Sequence, residues 1–196
     1  MLVETLSHLL DNVLPSADEY QAAEEALSVA FKSDQSPESW RNSAIIAKRR
    51  AAGVAIAIDG LTDRSEIELG VFKTKIRREI SSLCFWPGGT TLRAGAHNRV
   101  RAVANAYKHK ILSDQSLPIS SDDDVLVVGS GFGLDGYGVG KNGTPETLVK
   151  ERNGDQFKFL GDVPVSIGAW FKFLERYGVE FPFENRNVCG MQVYPI

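Results

Sequence analysis

Apolar residues recur at helical spacing through the first half of the chain and switch to short runs after Pro118. Leu2, Leu6, Leu9, Leu10 and Val13 fall on one helical face, and Pro15 reads as the end of that helix. Ser16, with Glu19 three residues on, reads as a capping box that opens a second helix through Tyr20, Leu27 and Phe31. Pro37 after Ser36 opens a third. It runs past Trp40, Ile45 and Ile46 through an alanine-rich stretch to Ile58, where Asp59-Gly60 reads as a stop. A fourth helix is expected from Thr62 past Leu69, Phe72, Ile76 and Ile80 to Leu83. Pro87-Gly88-Gly89 then breaks the pattern, and a fifth follows from about Leu92 to Leu112.

After Pro118 the pattern predicts strands at Val125–Val128, Tyr137–Val139, Thr147–Arg152 and Gln156–Leu160. Asn153-Gly154 reads as a tight hairpin turn with both residues at positive φ. Asp162 and Pro164 start a last helix, with Ile167, Trp170, Phe171 and Leu174 on its apolar face and Gly178 at its end; a short strand is expected at Met191–Tyr194. The fold class is mainly α with some β. A bundle of about five helices (1–117) carries a small antiparallel β-meander (122–161), then a final docking helix (162–178) and a tail (179–196), all as a single domain.

Composition narrows the functional classes. The chain has 196 residues, enough for one sizeable core, and two cysteines, Cys84 and Cys189, too few for a disulfide framework. No stretch approaches a membrane span, and the N-terminus has no signal-peptide pattern, so a cytoplasmic location with no membrane partner is expected. Charge changes the picture more. From Lys73 to Lys110 there are nine basic residues and one acidic, +8, which leaves −11 for the remainder of a chain whose net charge is −3. Such a segment favours RNA or another polyanion, or is neutralised internally by the acidic N-terminal helices.

Within that segment His97, Arg101, Asn105, Lys108 and His109 share one face of the fifth helix, opposite Ala96, Val100, Val103, Ala104, Tyr107 and Ile111. His97, Arg101 and Lys108 are the candidate anion-binding residues. Arg101, Asn105 and His109 are the candidate catalytic set, with His109 as base, Arg101 as charge stabiliser and Asn105 orienting an oxygen. Asn105-Ala-Tyr-Lys108-His109 resembles the Asn-x-x-Lys-His signature of a group of uncharacterised, mostly bacterial helical proteins. These are similar to the HEPN superfamily, small helical bundles that often dimerise and include metal-independent RNases. The resemblance implies weak metal-independent nuclease activity and a homodimer formed through the face of helix 92–112. The chain departs from the RNase motif: seven residues separate Arg101 from His109, a wider gap than the motif has, and Ala102 stands at its polar position.

Two other segments invite functional readings. Val125–Val128 running into Gly129, Gly131, Gly133 and Gly136 suggests a nucleotide-binding turn, but Leu134 occupies the third glycine position and no amphipathic helix follows; a tightly turning meander is the better account. Asp122-Asp123-Asp124 alternates in direction and reads as a solvated loop, not a metal site. Cys84 reads as a buried thiol and His8 as incidental. No metal and no cofactor is expected. The competing functional class is a non-enzymatic interaction module whose basic face meets an acidic partner, and a nucleotide-binding enzyme using residues 129–136 comes third.

Overall fold

Residues 3–33 form one unbroken helical rod in the computed structural model, which describes residues 2–109, 112, 114–128 and 140–195. Helix α1 (Val3–His8) passes through a π-helical turn (Leu9–Val13) directly into α2 (Leu14–Ser33). The expected stop at Pro15 is therefore overturned. Proline sits in the first turn of α2, and the wider π turn ahead of it accommodates the missing N–H and the bulk of the ring. Ser16 lies inside the rod and caps nothing.

Helix α3 (Pro37–Leu69) likewise runs straight through Asp59-Gly60 and ends only at Gly70, whose φ of +63° makes the left-handed cap. Gly60 is there for space. A Cβ on it would stand 3.0 Å from His8 Nε2, whose N–H donates to the Ala57 carbonyl at 2.9 Å, so the bare position lets α1 lie close on α3. His8 is thus a packing residue. Thr62 consequently falls in mid-helix, and the next helix, α4, is Lys73–Ser82.

Helix α5 (Ala96–His109) starts later than Leu92 because the preceding loop doubles back: Leu92 bridges Phe85, and the Arg93 N–H donates to the Cys84 carbonyl at 2.8 Å. Leu112 lies outside it, its N–H donating to the Ser120 carbonyl. Ala96, Val100, Val103 and Ala104 are buried as expected, and Ala102, Ala106 and Arg99 are buried too, so this helix is enclosed around most of its circumference. Ile111 lies outside the described residues.

The antiparallel sheet has the order β1 (Val125–Val128), β2 (Glu146–Lys150), β3 (Gln156–Lys158). Val125 faces Val149, and Leu148 faces Lys158. The strand expected at Tyr137–Val139 and the glycines from Gly129 to Gly136 lie outside the described residues. The β2–β3 connection corrects the two-residue turn: only Gly154 has positive φ, and the Glu151 N–H donates to the Asp155 carbonyl, which makes a three-residue loop of Arg152, Asn153 and Gly154. Helix α6 (Phe159–Arg176) follows β3 without a linker, so it begins before Asp162 and holds Pro164 within it. A second hairpin, β4 (Arg186–Val188) and β5 (Met191–Tyr194), turns at Cys189-Gly190.

The molecule is mainly α with a small antiparallel sheet. Helix α6 is its centre, with Trp170, Phe171, Phe173 and Leu174 completely buried against α4, α5, the sheet and β5. Among the described residues no helix is long and apolar enough to cross a membrane.

Candidate anion-binding site

The basic segment does not form one open face. Two of its arginines are internal. Arg93 Nε donates to Asp162 Oδ1 at 2.6 Å, and Arg99 donates to the same carboxylate through Nε (2.8 Å) and Nη2 (2.9 Å). Asp162 is fully buried, and Arg99 also pairs with Glu151 at 3.0 Å while its guanidinium lies 3.7 Å over the Phe157 ring. Two cations and two carboxylates thus neutralise each other where α5, α6 and the sheet meet. Burial of a charge is tolerable only with this degree of pairing. Lys73 pairs with Asp63 and Glu66 at the exposed end of α3. Much of the +8 is therefore cancelled within the chain, by carboxylates of α3 and α6 and by Glu151 just after β2, and not by those of the N-terminal rod.

A different balance holds around Asp59. Helix α3 presents this carboxylate on its buried side, 4% exposed, where α4 and α5 pack. Lys108 Nζ donates to Asp59 Oδ2 at 3.1 Å, and Arg77 Nη2 pairs with Oδ1 at 3.5 Å. Arg101 stands near enough to both that burial, and then the Arg77 charge, hold its guanidinium below the ordinary arginine pKa, with Asp59 and Asp114 opposing. Its outer end pairs with Asp114 at 3.5 Å. Arg77 Nε and Arg101 Nε are buried and have no acceptor among the described residues.

Of the five residues of the sequence stripe, the structure keeps four together and removes one. Arg101, Asn105, Lys108 and His109 lie along the outward edge of α5, the first two half-buried and the last two exposed. The Asn105 amide donates to the Arg101 carbonyl at 2.8 Å, which fixes it against its own helix. His97 departs from the outward position. It is 1% exposed, bonded through Nδ1 to Ser166 Oγ at 3.0 Å and set edge-on to Trp170. Burial lowers its pKa to about 4; Asp59 pulls upward, and Arg77 and Arg101 add to the lowering. The ring is neutral at physiological pH, and it backs the Asp59 cluster from inside without meeting solvent.

Asp59 and Arg77 are the residues that sequence reasoning missed. The signal for Asp59 was present: a carboxylate within the apolar run that includes Val54, Ala55 and Ile58, which a helix must either bury with a partner or expose. Arg77 carries no signal of its own, because its role follows from where α4 packs.

The remaining motifs have structural uses. Ser121 and Asp124 form a capping box around the 3-10 turn Asp122–Asp124, with Asp124 Oδ2 accepting from the Ser120 N–H at 2.7 Å. Cys84 is buried, donates to the Ile80 carbonyl and has its thiol pKa pushed up to about 12 by burial. Glu24 of α2 accepts from the Thr147 N–H and pairs with Lys141 at 2.8 Å, while Glu146 pairs with Lys158 at 3.0 Å. The Glu24 contacts pin the sheet to the helical rod, and the Glu146–Lys158 pair ties β2 to β3. Comparison with family models, with curated proteins and with solved structures finds no match, so the likeness to HEPN proteins stands on the Asn105-to-His109 motif alone.

Proposed function

We propose that the protein binds a phosphate-bearing polyanion, RNA foremost, where Arg77, Arg101 and Lys108 meet. The observation that carries this reading is the charge balance at Asp59: Arg77 and Lys108, from two helices, pair with this one buried carboxylate, and Arg101, close enough to feel it, has Asp114 as its own partner at its outer end, so three cations face two carboxylates. A phosphate brought to that spot supplies the missing negative charge, and a guanidinium fork matches two of its oxygens. Lys75 and Arg78, exposed on α4 and without ion-pair partners among the described residues, extend the positive field that draws a polyanion in.

Cleavage of the bound strand, without metal, is the second activity we propose. It is favoured by the exposure of His109 on the same edge of α5 as Arg101. Eight positions span about 12 Å along a helix. His109 would take the 2′-hydroxyl proton, the 2′-oxygen would bond to the adjacent phosphorus to close a 2′,3′-cyclic phosphate, and Arg101 would steady the charge on the phosphoryl oxygens as the bond to the 5′-oxygen breaks and that oxygen takes a proton from solvent.

The test uses fluorescein-labelled single-stranded RNA of mixed sequence, first for binding and then for cleavage in EDTA. Binding lost in Arg77→Gln/Arg101→Gln at unchanged fold supports the first activity, and binding retained there removes it. Cleavage by the native protein that His109→Ala abolishes while binding persists supports the second. Equal cleavage by both, or none by either, removes it.

A further inference from the structure

A groove of about 520 Å³ lies on another part of the molecule, between the first turns of α3 and strand β1. Trp40, Ala44 and Ile45 line it from the helix, and Val125, Leu126 and Val127 from the strand. Three consecutive strand residues cannot present their side chains to the same side, because successive side chains alternate between the two faces of a sheet. At least one of them therefore lines the groove with its backbone. β1 is an edge strand: it pairs with β2 on one side, and no other strand pairs with it among the described residues. Every second residue of an antiparallel edge strand turns its N–H and C=O away from its partner. Among the described residues, the groove therefore combines an unpaired backbone edge with an apolar wall supplied by α3.

Its charge is one-sided. Arg41 and Lys48, seven residues apart on α3, stand at the groove with no ion-pair partner among the described residues, against Asp123 at the strand end. Edge strands in soluble proteins are commonly guarded by a bulge, a proline or a covering element. β1 has neither bulge nor proline, and its Leu126, Val127 and Val128 are only partly covered.

We infer that this groove is a docking site for an extended peptide segment of a partner protein, one that alternates apolar and acidic residues and adds to β1 as a further strand. Backbone hydrogen bonds to β1 supply the register. Apolar side chains on the face of the peptide toward α3 pack on Trp40, Ala44 and Ile45, and the long side chains of Arg41 and Lys48, which stand on that same face of α3, reach past the strand to its carboxylates. A strand needs about 4.8 Å of room beside its neighbour, and the groove runs along β1 over three of its four residues.

The experiment titrates the full chain with a fluorescein-labelled Val-Glu-Val-Glu-Val peptide, following anisotropy, and repeats it with the same peptide N-methylated at alternate residues in each of the two phases. Strand addition predicts saturable binding that one N-methylation phase weakens about tenfold or more and the other leaves nearly unchanged, since only one set of N–H groups faces β1. Arg41→Glu/Lys48→Glu, whose side chains form no ion pairs among the described residues, is expected to weaken binding by a similar factor at unchanged melting temperature. Absence of binding overturns the proposal. So does binding that both methylated peptides share, or that decanoate displaces with equal effect from every peptide, since either marks an apolar cleft indifferent to backbone. A dimer on size exclusion that the peptide fails to dissociate assigns the edge to a second copy and equally overturns it.

Discussion

Lys108, next to the last residue of α5, reaches the middle of α3 and bonds the carboxylate of Asp59 at 3.1 Å. One half of that pair belongs to a residue that reads from sequence as a helix stop, the other to the most suggestive motif in the chain. Their contact ties the motif to the core. Removing the carboxylate leaves Arg77 and Lys108 without it and Arg101 more crowded. Because those cations are partly solvated, the cost is below that of a fully buried pair. Asp59→Asn is expected to destabilise by roughly 1–3 kcal/mol, measured by urea unfolding. Added phosphate should recover more stability in the variant than in the native protein.

His97 gives a pH signature. Its pKa in the folded chain, about 4, lies below the ordinary value of 6.5, so the unfolded state takes up its proton first. The contribution to stability is whole above pH 6.5 and is lost as pH falls through the window from 6.5 to about 4. The slope attributable to one such group approaches 1.4 kcal/mol per pH unit. Carboxylates titrate in the lower part of that window as well, so the quantity to measure is the difference between native protein and His97→Gln. That difference should narrow as pH falls from 6.5 and level off near 4. A difference independent of pH would mean that His97 is not buried as a neutral ring.

The Asp162 cluster should dominate the electrostatic part of stability. Asp162→Ala removes the carboxylate that two buried guanidiniums share, leaving Glu151 to Arg99, and a loss of about 3–5 kcal/mol is expected. Arg50→Ala, which breaks the exposed pair with Glu19, should change stability by about 0.5 kcal/mol or less. Equilibrium denaturation of the two variants side by side checks the contrast.

Gly60 offers a test of why α3 is continuous. In an open helix, Gly→Ala gains about 1 kcal/mol. Here the added methyl meets the His8 ring and Arg64 Nη1, at 3.0 and 3.2 Å. Gly60→Ala should therefore gain little or nothing in the native background, and regain most of the propensity benefit in His8→Ala. A double-mutant cycle with additive effects would contradict this packing role.

The places where sequence reading succeeded and failed share a cause. Periodicity located the helices because each buries a stripe, and the Val125 and Met191 strands because they are short apolar runs. It failed at Pro15 and at Asp59-Gly60, where residues that ordinarily end helices are retained by a π turn, by close contact with His8 and by the ion pair to Lys108. Of the stripe on α5, the helical spacing was legible, but spacing alone does not say how much of the circumference neighbours cover. His97 lies one turn N-terminal to Arg101, yet α6 covers it with Ser166 and Trp170. Arg77 entered the site through tertiary packing and left no mark in the local pattern.

The central claim is that positive charge at Arg77, Arg101 and Lys108 exceeds what Asp59 and Asp114 balance and is matched by phosphate from outside. The salt dependence of single-stranded RNA affinity measures this most directly. If these three cations each neutralise a phosphate, the plot of log affinity against log salt has a slope near −2, about −0.7 per contact, and Arg101→Gln/Lys108→Gln flattens it to about −0.7. An unchanged slope in that variant would contradict the account.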